Sequence, residues 1–130
     1  FLLPSVIDAI ELQHHRSGPG KRYVMIDDRF YSNCNQYCIL RHIPLLNDYG
    51  NGHVDEHRHV CDSLFIFIGP GENLNGLTVE VSMNGKISTL NSPSTVFIPS
   101  GVKHYYRIVE GEGYFINHVL SGEYNSSLLE

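Results

Sequence analysis

An all-β barrel or sandwich is the fold class that this sequence predicts, on three observations. About nine short runs rich in Val, Ile, Phe, Tyr or Thr follow residue 20, most of them four to eight residues long. Clusters of Gly, Pro, Asn and Ser separate those runs, as turns between strands require. Between two of them stands Met83-Asn84-Gly85-Lys86, and Asn-Gly supplies the positive φ angles of a two-residue type I′ hairpin.

Taken in order, Pro4 to Leu12 reads as one short helix, with Ser5 as N-cap, Asp8 three residues on, and Val6, Ile7 and Ile10 sharing a face. Gly18-Pro19-Gly20 ends it. The expected strands are Tyr23 to Ile26, Gln36 to Ile43, His53 to His59, Ser63 to Ile68, Leu77 to Met83, Lys86 to Leu90, Thr95 to Ile98, Lys103 to Val109 and Tyr114 to Leu120. Val79, Val81 and Met83 share one parity against Glu80 and Ser82, giving one buried and one wet face. No internal repeat, low-complexity stretch or linker divides the chain. It reads as a single domain, 1–130, with helix and turn over 1–20 and barrel over 21–130.

Composition narrows the function classes. With 42% hydrophobic and 18% charged residues, the 130-residue chain has the make-up of a soluble globular domain with one core. A net charge of −5, without any Lys/Arg stripe, argues against nucleic acid or an anionic membrane surface as partner. The longest apolar stretch, Leu64 to Ile68, falls far short of the roughly 20 residues of a membrane span. No basic segment precedes Phe1-Leu2-Leu3-Pro4, so no secretory signal is read there, and the missing initial Met suggests a processed product or an excised domain. Three cysteines, Cys34, Cys38 and Cys61, make an odd count that points to reduced thiols and a cytoplasmic location.

The chemistry concentrates around histidines. Residues two apart in a strand point the same way, so His57 and His59 project together and can occupy adjacent positions around a metal. Taken alone, such a pair is equally an exposed or hydrogen-bonded one. Pro99-Ser100-Gly101 makes a tight turn before a further strand, and that turn sets where His104 points. A third imidazole from a neighbouring strand could complete a set of three.

His57-x-His59 with a strand ending at Gly69, followed by Pro99-x-Gly101-x2-His104, resembles the two motifs of the cupin superfamily over roughly residues 50 to 110. The resemblance implies a cupin-type β-barrel, a double-stranded β-helix or jelly roll, with His57, His59 and His104 as ligands of a divalent metal. Position 63, which usually carries Glu in that family, is Ser63 here, and Pro93 and Ile108 replace the upstream Gly and downstream Asn of the second motif. Asp62, one residue early, would need a bulge to face with the histidines. A three-His centre, a three-His centre with Asp62, and a metal-free binding barrel therefore all stand as readings, the first being favoured. Iron heads the candidate metals, with zinc, nickel and manganese as the others.

On the same footing, the expected activity is that of a metal-dependent oxidoreductase of dioxygenase type acting on a small molecule. A Lewis-acid isomerase or lyase and a non-catalytic sensing cupin are the alternatives. Tyr106, sharing parity with His104, could position substrate or donate a proton, or could simply pack the barrel. His118, on a face with Tyr114 and Ile116, could act as acid or base, or be structural. Arg41 could bind a substrate carboxylate or snorkel from an edge strand, and Cys61 reads as a small buried hydrophobe. A homodimer through sheet edges is expected from the resemblance and from the need to cover exposed edges.

Overall fold

The computed structural model describes residues 20–27, 30, 34–46 and 61–119, together with the backbone of strands 5–7, 58–59 and 128–129. The strands in chain order are β1 (Ser5–Ile7), β2 (Arg22–Ile26), β3 (Tyr37–Ile43), β4 (Arg58–His59), β5 (Ser63–Ile68), β6 (Leu77–Met83), β7 (Lys86–Asn91), β8 (Ser94–Ile98), β9 (His104–Gly111), β10 (Gly113–Val119) and β11 (Leu128–Leu129). They form a six-stranded sheet in the order β1-β2-β3-β10-β5-β8, a three-stranded sheet β7-β6-β9, and the pair β11-β4.

Two expectations need correction. Ser5–Ile7 is a strand rather than the start of a helix, and pairs antiparallel with Arg22–Val24. Val6 and Ile7 are β-branched, and a partner strand rewards them more than a lone short helix could; the rest of the expected helix lies outside the described residues. Nor is the barrel a closed cylinder: among the described strands, β7 and β8 remain as edges of separate sheets that face one another. The described residues contain no α-helix, only a 3-10 turn at Glu72–Leu74, and no helix long and apolar enough to cross a membrane.

The hairpin forms as its residues require. Asn84 has φ 50° and Gly85 φ 82°, and Met83 pairs with Lys86 across the turn. The register of β6 against β9 then sets Met83 opposite His104 and Val81 opposite Tyr106.

Alternation decides what lies between the sheets. Phe65 and Phe67 of β5, Phe115 of β10 and Ile43 of β3 meet Val79, Val81, Tyr106 and Ile108 of the smaller sheet in one core. Phe115 lies 4.2 Å from Tyr106 by ring centroids, and Phe65 meets Phe115 edge-on at 5.0 Å. Each such ring contributes about 1.5–3 kcal/mol by burial. A second cluster, Val24, Tyr37, Ile39 and Val119, lies at one end of the large sheet, with Cys61 packed against it.

Candidate functional site

Polar side chains interrupt the apolar alternation on the inner faces, and these interruptions define the site. On β3 the inward residues are Tyr37, Ile39, Arg41 and Ile43, and Arg41 is 1% exposed. On β10 they include Phe115, Asn117 and Val119, with Asn117 buried. Ser63 opens the inward row of β5, and Arg22 that of β2, opposite Arg41 in the register. From the smaller sheet His104 and Tyr106 face them, each 2% exposed.

His104 is held by its local chain. The turn expected at Pro99-x-Gly101 is present, with Val102 N–H donating to the Pro99 carbonyl and Gly101 at φ 83°. Nδ1 of His104 lies 2.9 Å from the Val102 carbonyl oxygen. A carbonyl only accepts, so Nδ1 carries the proton and Nε2 is the basic nitrogen, the tautomer a metal-binding imidazole needs. The ring stands edge-on to Phe65 at 5.5 Å, which fixes its tilt.

Asp62 does other work. Its Oδ1 accepts a hydrogen bond of 2.9 Å from the Ser100 N–H, tying the start of β5 to the turn that aims His104. Ser63, not Asp62, is the inward residue, so no bulge brings Asp62 to the imidazole face.

Of the three histidines expected together, only the His104 side chain is described. His57 lies outside the described residues. His59 is placed as backbone in β4, opposite Leu128 of β11. Tyr106 is on the inner face, and its hydroxyl accepts a 3.0 Å hydrogen bond from Arg41 Nη1. Arg41 is thus interior, not a snorkelling edge residue. His118 does not join these groups: it alternates with the buried Asn117 and Val119, so it faces outward, and its Nε2 lies 2.6 Å from Gln36 Oε1. It lines a small apolar cavity of about 200 Å³ with Leu64 and Phe97. The three cysteines are free thiols, and burial pushes the Cys38 thiol above its ordinary pKa of 9.0.

Asn117 was not singled out from the sequence. The available signal was a polar residue at the parity of Phe115 and Val119. Its Oδ1 is buried and has no hydrogen-bond partner. Leaving a buried amide oxygen unmet costs about 1–3 kcal/mol, so something in the barrel is expected to meet it. Among the described residues no group of three or more His, Cys, Asp or Glu side chains is placed to hold a metal, and His104 is the one expected ligand whose side chain is described.

No protein-family profile and no curated protein matches the chain. Solved structures do match. An RmlC-like cupin from Shewanella frigidimarina superposes with a TM-score of 0.58 at 16% identity, covering 95% of this chain and 87% of that one. A Streptomyces nucleoside dehydratase gives 0.60 at 9% identity over 97% and 82%. The DMSP lyase DddQ from Ruegeria pomeroyi gives 0.60 at 18% over 91% and 56%. At these identities the likeness is one of fold.

Proposed function

The chain has the cupin fold, and on that premise we propose that it is a metal-dependent enzyme acting on a small polar molecule between its two sheets, with His57, His59 and His104 as the metal ligands. The observation that carries the reading is His104: buried, inward, and held by Val102 in the tautomer that leaves Nε2 basic. A divalent metal there would supply Lewis-acid polarisation of a substrate oxygen or, if iron, a site for oxygen chemistry.

Arg41 and Tyr106 supply the rest. Burying a guanidinium costs several kcal/mol, and a well-packed apolar side chain in its place is often neutral or stabilising. A purely structural barrel has little use for Arg41 at 1% exposure. Its fixed positive charge suits the carboxylate or other acidic end of a substrate. Tyr106, accepting from Arg41 through oxygen, keeps its own proton to donate. That pairing favours proton-transfer chemistry, an elimination or isomerisation, over dioxygenation. The dioxygenase reading is supported by three neutral imidazoles, which leave open positions for oxygen and a chelating substrate.

Metal content and turnover test the reading together. Purified protein is expected to carry stoichiometric metal and to convert hydroxy or keto acids. Oxygen uptake during turnover selects the dioxygenase branch; product formation without it selects the proton-transfer branch. Wild-type protein without metal or activity contradicts both.

The expected homodimer is proposed to use the outer face of the large sheet. Tyr23, Leu40, Ile116 and Ile66 form one row across four strands, flanked by His118 with Leu64 and by Tyr114 with Ile68. Among the described residues of β2, β3, β10, β5 and β8, no charged side chain faces that way. The face measures roughly 20 by 20 Å from strand spacing and rise, about 400 Å² in projection, a size within the range of apolar patches that on monomers are often functional. A second copy fits it: the net charge of −5 makes like copies repel elsewhere, but not across an uncharged face.

A further inference from the structure

We infer that the cleft between the edges of β7 and β8 binds a free medium-chain carboxylate, with its alkyl chain on an apolar floor and its acid group at Lys86. The inference draws on neither the metal nor the buried groups around Arg41.

Among the described strands β7 and β8 end separate sheets, and a cavity of about 390 Å³ lies between them. Its floor is apolar. Met83, Leu90 and Val96 pack against the core and also line the cavity, beside the buried Val81. Phe97, 56% exposed, joins them from the edge strand β8. The register sets Lys86, Ser88 and Leu90 opposite Met83, Val81 and Val79, so all three share the inward face of β7. His104 and Tyr106 pair with Met83 and Val81 from the far side, so β6 stands between the cleft and those two groups.

Charge is confined to one end. Lys86 lines the cavity at the hairpin, and among the described residues no carboxylate pairs with it. Glu80 of β6 has the opposite parity and holds Arg107 at 3.0 Å. A second lysine, Lys103, adjoins the same hairpin, its carbonyl accepting a 2.8 Å hydrogen bond from the Asn84 N–H. An apolar trough with a cationic end is the complement of an amphipathic anion. From Lys86 to Leu90 the trough runs about 13 Å at strand rise, the extent of an alkyl chain of about ten carbons. An inward charge on an edge strand also deters pairing with another chain, but that duty needs no cavity beside the lysine.

The test titrates decanoate, octanoate, hexanoate and decanol into the full chain by calorimetry. Decanoate is expected to saturate one site, with affinity rising about two- to fourfold per methylene along the acid series. Lys86→Gln is expected to weaken decanoate about three- to fivefold and to leave decanol unchanged. Ser88→Phe, at an exposed position, is expected to fill the trough and abolish binding of both. Should that variant fail to fold by circular dichroism, the chain-length series and Lys86→Gln carry the test. Absence of saturable decanoate binding overturns the inference, as does wild-type affinity in a folded Ser88→Phe. Decanol binding as tightly as decanoate, or decanoate binding equally in Lys86→Gln, overturns the role of the acid group. Self-association of Lys86→Gln in sedimentation, with no decanoate bound by wild type, would show that Lys86 only guards the edges.

Discussion

Arg41 and Tyr106, 65 residues apart in the chain, are joined by a buried 3.0 Å hydrogen bond that ties β3 of the large sheet to β9 of the small one. Tyr106→Phe takes an acceptor from a buried guanidinium and is expected to cost about 1–3 kcal/mol in urea unfolding. Adding Arg41→Met removes the charge as well and is expected to recover most of that loss. Both variants are expected to lose turnover. If the double variant keeps activity, Arg41 and Tyr106 are packing residues and the proton-transfer proposal fails.

The hairpin offers a control outside the site. Gly85 has φ 82° and open space around it, so Gly85→Ala suffers backbone strain alone. Its cost is expected to be about 1 kcal/mol, seen as a lower unfolding midpoint, with metal content unchanged. A loss of metal in this variant would mean that content reports general stability rather than ligation.

Cys38 carries a pH dependence. Burial raises its thiol pKa in the folded chain, so the unfolded chain releases the proton first. Stability is therefore intact below the ordinary thiol range near 9.0 and falls as pH rises through and above it. Cys38→Ala is expected to flatten that decline in urea midpoints measured across the range. An identical slope in the variant would refute the assignment.

The outer face predicts an oligomeric state. Sedimentation should give twice the 14.7 kDa chain mass for wild type and the chain mass itself for Ile116→Glu. Ile87→Lys, at an exposed position on the β7 edge, should remain dimeric. A monomeric wild type, or dimers lost with Ile87→Lys and kept with Ile116→Glu, would put the interface elsewhere.

Much of this architecture was legible because local signals and tertiary pairing agree. Ser63–Ile68 and Leu77–Met83 have the bounds their apolar runs predict, and Asn84-Gly85 turns as its chemistry demands. The N-terminal segment misled because Ser5 and Asp8 mimic a helix cap, while its pairing with Arg22–Val24 is non-local. Parity placed His118 with Tyr114 and Ile116 correctly, but parity does not say which face is inside. Gly113, Phe115 and Val119 decide that by their burial. Asn117 and Arg41 followed the same rule in reverse: each is a polar break in an inward apolar row, a signal readable once the inward parity is known.

The most direct measurement is metal content per chain in wild type, His57→Ala and His104→Ala, purified identically and checked for folding by circular dichroism. The account predicts close to one divalent ion per wild-type chain and a large loss in each variant, with the fold retained. Wild-type protein without stoichiometric metal, or variants that hold as much as wild type, would contradict it.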